Sequence, residues 1–271
     1  MLGQSLVEAL QGHHLVPLSR ETLDVSDGSA VRTAIERAAP DVVIHAAAWT
    51  NVDGCEGDPD RAFAVNALGT RNVALACQAA GAACCYISTD YVFDGTEAEP
   101  YWEWDRPNPQ SVYGASKLAG EQEILTLLDR FWIVRTSWLY GPGGRHFVGA
   151  ILEKARAGDP LKVVNDQIGA PTSTRDLARA LATLIKTHAY GTYHLTNSGA
   201  CSWYDFALKI LQLAGLGTIP VKAISSAELA RPARRPLNSR LRNFCWEALG
   251  QPPLRPWEEA LRAYLHAEAG R

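Results

Sequence analysis

Tyr113 and Lys117 stand four residues apart in the stretch Tyr113-Gly114-Ala115-Ser116-Lys117, a spacing that puts both side chains on one face of a helix. Residues 118–125 (LAGEQEIL) continue in helix-favouring composition. An ammonium group beside a phenol favours the phenolate and lowers a pKa that starts near about 10. The pair therefore predicts a proton donor to a carbonyl near neutral pH. Thr89 closes a second stretch, where residues 82–87 (AACCYI) read as a buried strand. A hydroxyl at that strand end is placed to hold the same carbonyl oxygen.

A Tyr-x-x-x-Lys pair is weak by itself. With nine tyrosines it arises by chance in roughly one chain in five, and the plain alternative is a tyrosine under a snorkelling lysine on a surface helix. Composition narrows the choice of class. A chain of 271 residues, 47% hydrophobic and 20% charged, suits one large α/β domain or a main domain with a smaller companion. A net charge of -3 and no basic stripe argue against a nucleic-acid surface. The densest basic spot, Arg231, Arg234 and Arg235, is enough for a phosphate group. The six cysteines show no C-x-x-C pair and no metal spacing, which predicts reduced thiols and a cytoplasmic protein. No apolar run approaches the ~20 residues that span a bilayer, and no signal peptide opens the chain.

The elements that must position these residues follow in order. Residues 2–10 read as a helix, 15–18 as a strand, 30–39 as a helix and 41–45 as a buried strand. A helix over 59–81, the strand ending at Thr89, a strand over 131–138 and a helix over 147–156 come next. A helix over 176–187, a strand over 191–195 and a helix over 203–213 complete the pattern. Alternation of this kind predicts a doubly wound parallel sheet, in which ligands bind beyond the carboxyl ends of the strands. Ala46-Ala47-Ala48, Thr89 and Trp138 all fall at such ends.

Several ordered motifs then carry a resemblance: residues 40–53 (PDVVIHAAAWTNVD), 63–66 (FAVN), 87–95 (ISTDYVFDG), 111–121 (SVYGASKLAGE), 134–141 (VRTSWLYG), 166–172 (DQIGAPT) and 235–239 (RPLNS). Together they resemble the extended short-chain dehydrogenase/reductase family, and within it the dTDP-4-dehydrorhamnose reductases, from Gly3 to about Leu265. The resemblance implies a Rossmann-like domain (residues 1–141 and 174–197) and a smaller substrate-binding domain (142–173 and 198–271). It implies NADPH-dependent reduction, with NADH as the alternative, of the C4 ketone of a dTDP-linked deoxysugar. Thr89, Tyr113 and Lys117 match the catalytic positions. Gly3, Gln4, Ala47, Ala48, Thr50 and Ser88, with Tyr113 and Lys117, match positions lining the cofactor. Val52, Asp90, Tyr91 and Trp138 match positions around the sugar, and Asn165, Gln167, Arg234 and Arg235 positions for the base and diphosphate.

The chain departs from the family at its start. The family opens with a strand and a Gly-x-x-Gly-x-x-Gly turn, and here only the last glycine, Gly3, is present. The missing strand would lie mid-sheet, so its loss predicts two exposed strand edges. An upstream start and a shortened relative with impaired cofactor binding are the two readings, and the intact remaining site favours the first. Arg20, just past the second predicted strand, favours the 2′-phosphate of NADP over NAD. Some family members form metal-bridged dimers through an acidic residue after Gly-Ala-Pro-Thr. Arg175 and Asp176 occupy that neighbourhood here, so no metal is expected, and the chain is expected as a monomer or homodimer. The rivals are a nucleotide-sugar epimerase or dehydratase, with Asp90 as its extra acid, and a non-catalytic regulatory relative such as the regulatory subunit of methionine adenosyltransferase.

Overall fold

A computed structural model of the chain describes residues 1–269. At its centre, Val42–His45, Ala83–Thr89, Phe131–Thr136 and Gly191–His194 lie side by side in that order, all parallel. The register sets His45 beside Tyr86 and Thr89 beside Thr136, so the carboxyl ends of three strands meet at one edge. Every residue of Ala83–Thr89 is buried, as expected for a parallel strand covered on both faces. Helices Leu2–Ala9 and Thr174–Leu184 close one face over Trp132, Val134, Leu177 and Leu181. Helices Gly28–Ala38, Gly69–Ala80 and Val112–Leu127 close the other over Val31, Val73, Tyr86 and Ile133.

Three expectations need correction. Residues 15–18 form no strand, and Val16 and Leu18 are half exposed. A strand persists through its ladder partners, and among the described residues none pairs with this segment, while Val42–His45 is the outer strand of the sheet. The helix expected over 59–81 is broken into Pro59–Phe63, a π-helical turn Ala64–Leu68 and Gly69–Ala80. The strand expected over 131–138 stops at Thr136, because Trp138 takes a left-handed backbone with φ of 48°. A short helix, Val52–Gly57, capped by Asn51, lies where no helix was expected.

A second core forms around Tyr140, Val148, Ile151, Phe206, Ile210 and Trp257. It gathers helices Phe147–Ala157, Trp203–Leu213 and Trp257–Ala269 and the parallel pair Leu161–Val164 and Val221–Ile224. The six cysteines are free, and no helix among the described residues is long and apolar enough to cross a membrane.

Candidate active site

The helix that carries Tyr113 and Lys117 is fixed at its start by two side chains. Ser111 accepts the Gly114 N–H at 3.2 Å, and Glu56 Oε1 accepts the Val112 N–H at 2.8 Å. Two glycines let the helix approach the sheet. A Cβ on Gly114 would stand 2.2 Å from the Tyr91 carbonyl oxygen, and one on Gly120 2.4 Å from the Tyr86 hydroxyl.

Lys117 is buried, donates to the Ile87 carbonyl oxygen at 2.8 Å and lies 4.0 Å from the centre of the Tyr86 ring. Burial pulls its ammonium down to about 7, opposed by the Glu121 carboxylate one turn further on. The Tyr113 ring is half-buried and meets Tyr91 edge to face at 5.7 Å. Burial raises its pKa, and the Thr89 hydroxyl acts the other way. This corrects the sequence-based expectation of a phenol lowered by its lysine. Desolvation dominates, and the hydrogen bond of Lys117 goes to the strand. The hydroxyl is thereby held neutral, the form that can give a proton.

Thr89 Oγ1 donates to Asp90 Oδ1 at 3.0 Å and accepts the Tyr91 N–H at 3.2 Å. Asp90 is 2% exposed, its Oδ2 is buried without a hydrogen-bond partner among the described residues, and burial pushes its carboxyl up to about 7. Thr89, Asp90, Tyr91 and Tyr113 therefore form one cluster at the end of the central strand.

Beneath it, Asn66 ties the layers together. Its side chain accepts the Trp49 N–H at 2.8 Å, donates to the Trp49 carbonyl at 3.1 Å and donates to Ser116 Oγ at 3.0 Å. It sits in the π-helical turn, a distortion common at functional sites. The sequence motif around Asn66 carries no sign of this role, because a buried asparagine reveals its partners only in three dimensions. Ser88 differs from expectation. Its hydroxyl donates to Glu121 at 2.5 Å, and Glu121 is gripped by Arg135 at 2.7 Å. The Ser88 side chain therefore belongs to a buried charge network, leaving only its backbone for a ligand.

A dinucleotide fits the residues present. Ala47 and Thr50 are exposed and Ala48 is half-buried beyond the strand end at His45. Gly3 and Gln4 lie exposed in the first turn of Leu2–Ala9, a helix with no side-chain cap, and a Cβ on Gly3 would meet nothing within 4 Å. The Gln4 N–H already donates to the Met1 carbonyl oxygen at 3.1 Å, so an anion there would meet the amides before it and the helix dipole. Arg20 is exposed in the turn that follows residues 15–18.

Val52 opens the short helix, and Trp138 stacks on Trp203 at 3.5 Å and 8°. The strained Trp138 backbone is accommodated because Gly169 leaves room; a Cβ there would stand 2.5 Å from the indole. Trp203 was missed, since its stacking partner lies 65 positions earlier in the chain. Asn165 is exposed at the end of Leu161–Val164, whereas Gln167 is buried and donates to Ser226 at 2.8 Å. Arg234 is exposed with no hydrogen bond or ion pair among the described residues, and Arg235 is held by Asp53 at 2.9 Å. The two expected diphosphate arginines thus differ: one is free and one already has a carboxylate partner.

A parallel doubly wound sheet with a Tyr-x-x-x-Lys helix and a strand-end threonine at its carboxyl edge defines an oxidoreductase of the short-chain dehydrogenase/reductase class. Comparison with known proteins narrows this. The RmlD substrate binding domain family matches residues 1–269, and the chain belongs to that family. It is 43% identical over 279 residues to dTDP-4-dehydrorhamnose reductase of Streptomyces griseus, covering 100% of this chain and 92% of the relative. It is 37% identical over 264 residues to dTDP-4-keto-6-deoxy-D-glucose reductase of Streptomyces niveus, covering 96% and 92%. The crystal structure of dTDP-4-dehydrorhamnose reductase from Bacillus anthracis str. Ames in complex with NADP is similar at a TM-score of 0.96 and 40% identity, covering 98% and 95%.

Proposed function

We propose that this chain catalyses the NADPH-dependent reduction of the C4 ketone of dTDP-4-dehydro-L-rhamnose to dTDP-L-rhamnose, as a cytoplasmic enzyme. The observation that carries the reading is the cluster at the carboxyl end of the central strand, where Thr89 accepts the Tyr91 N–H and the Tyr91 ring packs on Tyr113, in a member of this family. NADPH, when bound, supplies the hydride to C4. Gly3, Gln4, Ala47, Ala48 and Thr50 would hold it, with Lys117 at the nicotinamide ribose and Arg20 at the 2′-phosphate.

The protein's own part is orientation and proton transfer. Tyr113, kept neutral by burial, gives its proton to the ketone oxygen, while the Thr89 hydroxyl, turned from its present acceptor Asp90, would donate to that same oxygen. Lys117, on the same helix and held by the Ile87 carbonyl oxygen, would supply positive charge near the phenolate left behind. Val52, Asp90, Tyr91 and Trp138 would surround the sugar, and Asn165, Arg234 and Arg235 the nucleotide. In this reading residues 1–141 and 174–197 form the cofactor domain, and 142–173 and 198–271 the substrate domain.

The test is NADPH consumption by the purified chain with dTDP-4-dehydro-L-rhamnose and, separately, with dTDP-4-dehydro-6-deoxyglucose, the product identified by NMR. The reading expects a C4 alcohol, with the rhamnose precursor preferred. A folded protein that consumes no NADPH with either sugar overturns it in favour of a regulatory role.

A further inference from the structure

The short helix Val52–Gly57 makes a contact that the reaction above does not use. Asp53 Oδ1 accepts from Arg235 Nη1 at 3.1 Å and from the Ala233 N–H at 3.2 Å. Its Oδ2 accepts from Arg235 Nη2 at 2.9 Å and Arg231 Nη1 at 3.1 Å. The Arg235 fork is bidentate, the geometry that makes a guanidinium–carboxylate pair strong and directional. The Arg235 and Asp53 side chains are only 18% and 22% exposed, so salt screens them less than a surface pair.

The location of this contact gives it meaning. The same helix caps the catalytic helix through Glu56. That catalytic helix carries Tyr113, whose ring packs against Tyr91. The next residue, Pro236, is docked so tightly on Gly95 that a Cβ there would stand 2.4 Å away. The loop over residues 231–235 is therefore pinned beside the proton donor from two sides. The charge does not cancel: Arg231 and Arg235 share the single carboxylate of Asp53, and Arg234 between them is exposed and unpaired among the described residues, which leaves two positive charges on the loop.

We infer that Asp53 is a positioning residue, which holds the 231–235 loop beside the site and presents its surplus arginines to the diphosphate of a nucleotide sugar. The inference rests on the function proposed above. A loop ordered before binding loses less conformational entropy on binding, so its contribution appears as affinity for the nucleotide sugar.

The experiment compares Asp53→Asn, Asp53→Glu, Arg235→Ala and the Asp53→Asn/Arg235→Ala double variant. Asp53→Asn is expected to raise the KM for the dTDP-sugar and the Kd for dTDP alone by about tenfold. Its kcat and its KM for NADPH should stay within about twofold, and Asp53→Glu should be intermediate. The double variant should lose less dTDP affinity than the sum of the two single losses, because the aspartate acts in part through Arg235 and in part through Arg231 and the Ala233 N–H. Unchanged dTDP affinity in Asp53→Asn, an equal loss of NADPH affinity, or additivity in the double variant would overturn the inference. Asp53→Glu carries the same test if Asp53→Asn does not fold. Binding of dTDP requires no turnover, so a protein inactive on both sugars refutes the reaction, while a wild-type chain that does not bind dTDP refutes the positioning role.

Discussion

Lys117 donates to the Ile87 carbonyl oxygen at 2.8 Å, across 30 residues of chain. That bond ties the helix bearing Tyr113 to the strand that ends in Thr89. The lysine is thus a structural tether as well as the site's cation. Its position over the Tyr86 ring at 4.0 Å adds a second tie between the same two elements.

Replacing Tyr113 with Phe should lower kcat by about a hundredfold or more, since a positioned proton donor contributes on that scale. The ring stays packed against Tyr91, so the melting temperature should be nearly unchanged. NADPH consumption and a thermal melt on the same sample check both halves, and unchanged turnover would remove Tyr113 as the acid.

Stability should depend on pH through two buried groups of opposite sign. The folded pKa of Lys117, about 7, lies below its ordinary value of 10.5, so its contribution is present above about 10.5 and is lost as pH falls through about 7. The folded pKa of Asp90, also about 7, lies above its ordinary 3.8, so its contribution is present below about 3.8 and is lost as pH rises through about 7. Urea unfolding between pH 7 and 9 should therefore show stability rising with pH, at up to about 1.4 kcal/mol per unit, and Lys117→Met should flatten that rise. Asp90→Asn should flatten the fall between pH 4 and 7.

Gly120→Ala reverses a general rule. In an open helix the change gains up to about 1 kcal/mol. Here the added Cβ would stand 2.4 Å from the Tyr86 hydroxyl and 2.6 Å from the Asn66 carbonyl oxygen, and overpacking of this kind costs about 1–3 kcal/mol. Denaturant unfolding of the variant should show a net loss, whereas a gain would mean that the helix and strand separate without strain.

Asn66→Ala removes three hydrogen bonds, two of them to the backbone of Trp49 beside the alanine turn. The expected loss is about 1–3 kcal/mol. The KM for NADPH should rise with it, because residues 47–50 lose their anchor. A stability loss with an unchanged NADPH KM would place the cofactor elsewhere.

Much of this molecule was legible in residue order alone. The alternation of apolar strands and helices fixes a parallel α/β sheet, because period and length are local properties of the chain. The spacing of Tyr113 and Lys117, and the strand that ends in Thr89, were legible for the same reason. Tertiary structure decided the rest. Residues 15–18 have the composition of a strand but no ladder partner among the described residues, so they form none. Ser88 turned out to serve Glu121, because Arg135 comes to that carboxylate from the neighbouring strand. Lys117 bonds a strand carbonyl and Tyr113 rises in pKa, since burial depends on everything packed around both. Asp53 meets arginines 178 to 182 positions away; no local pattern records such a pair, and only closure of the chain brings it together.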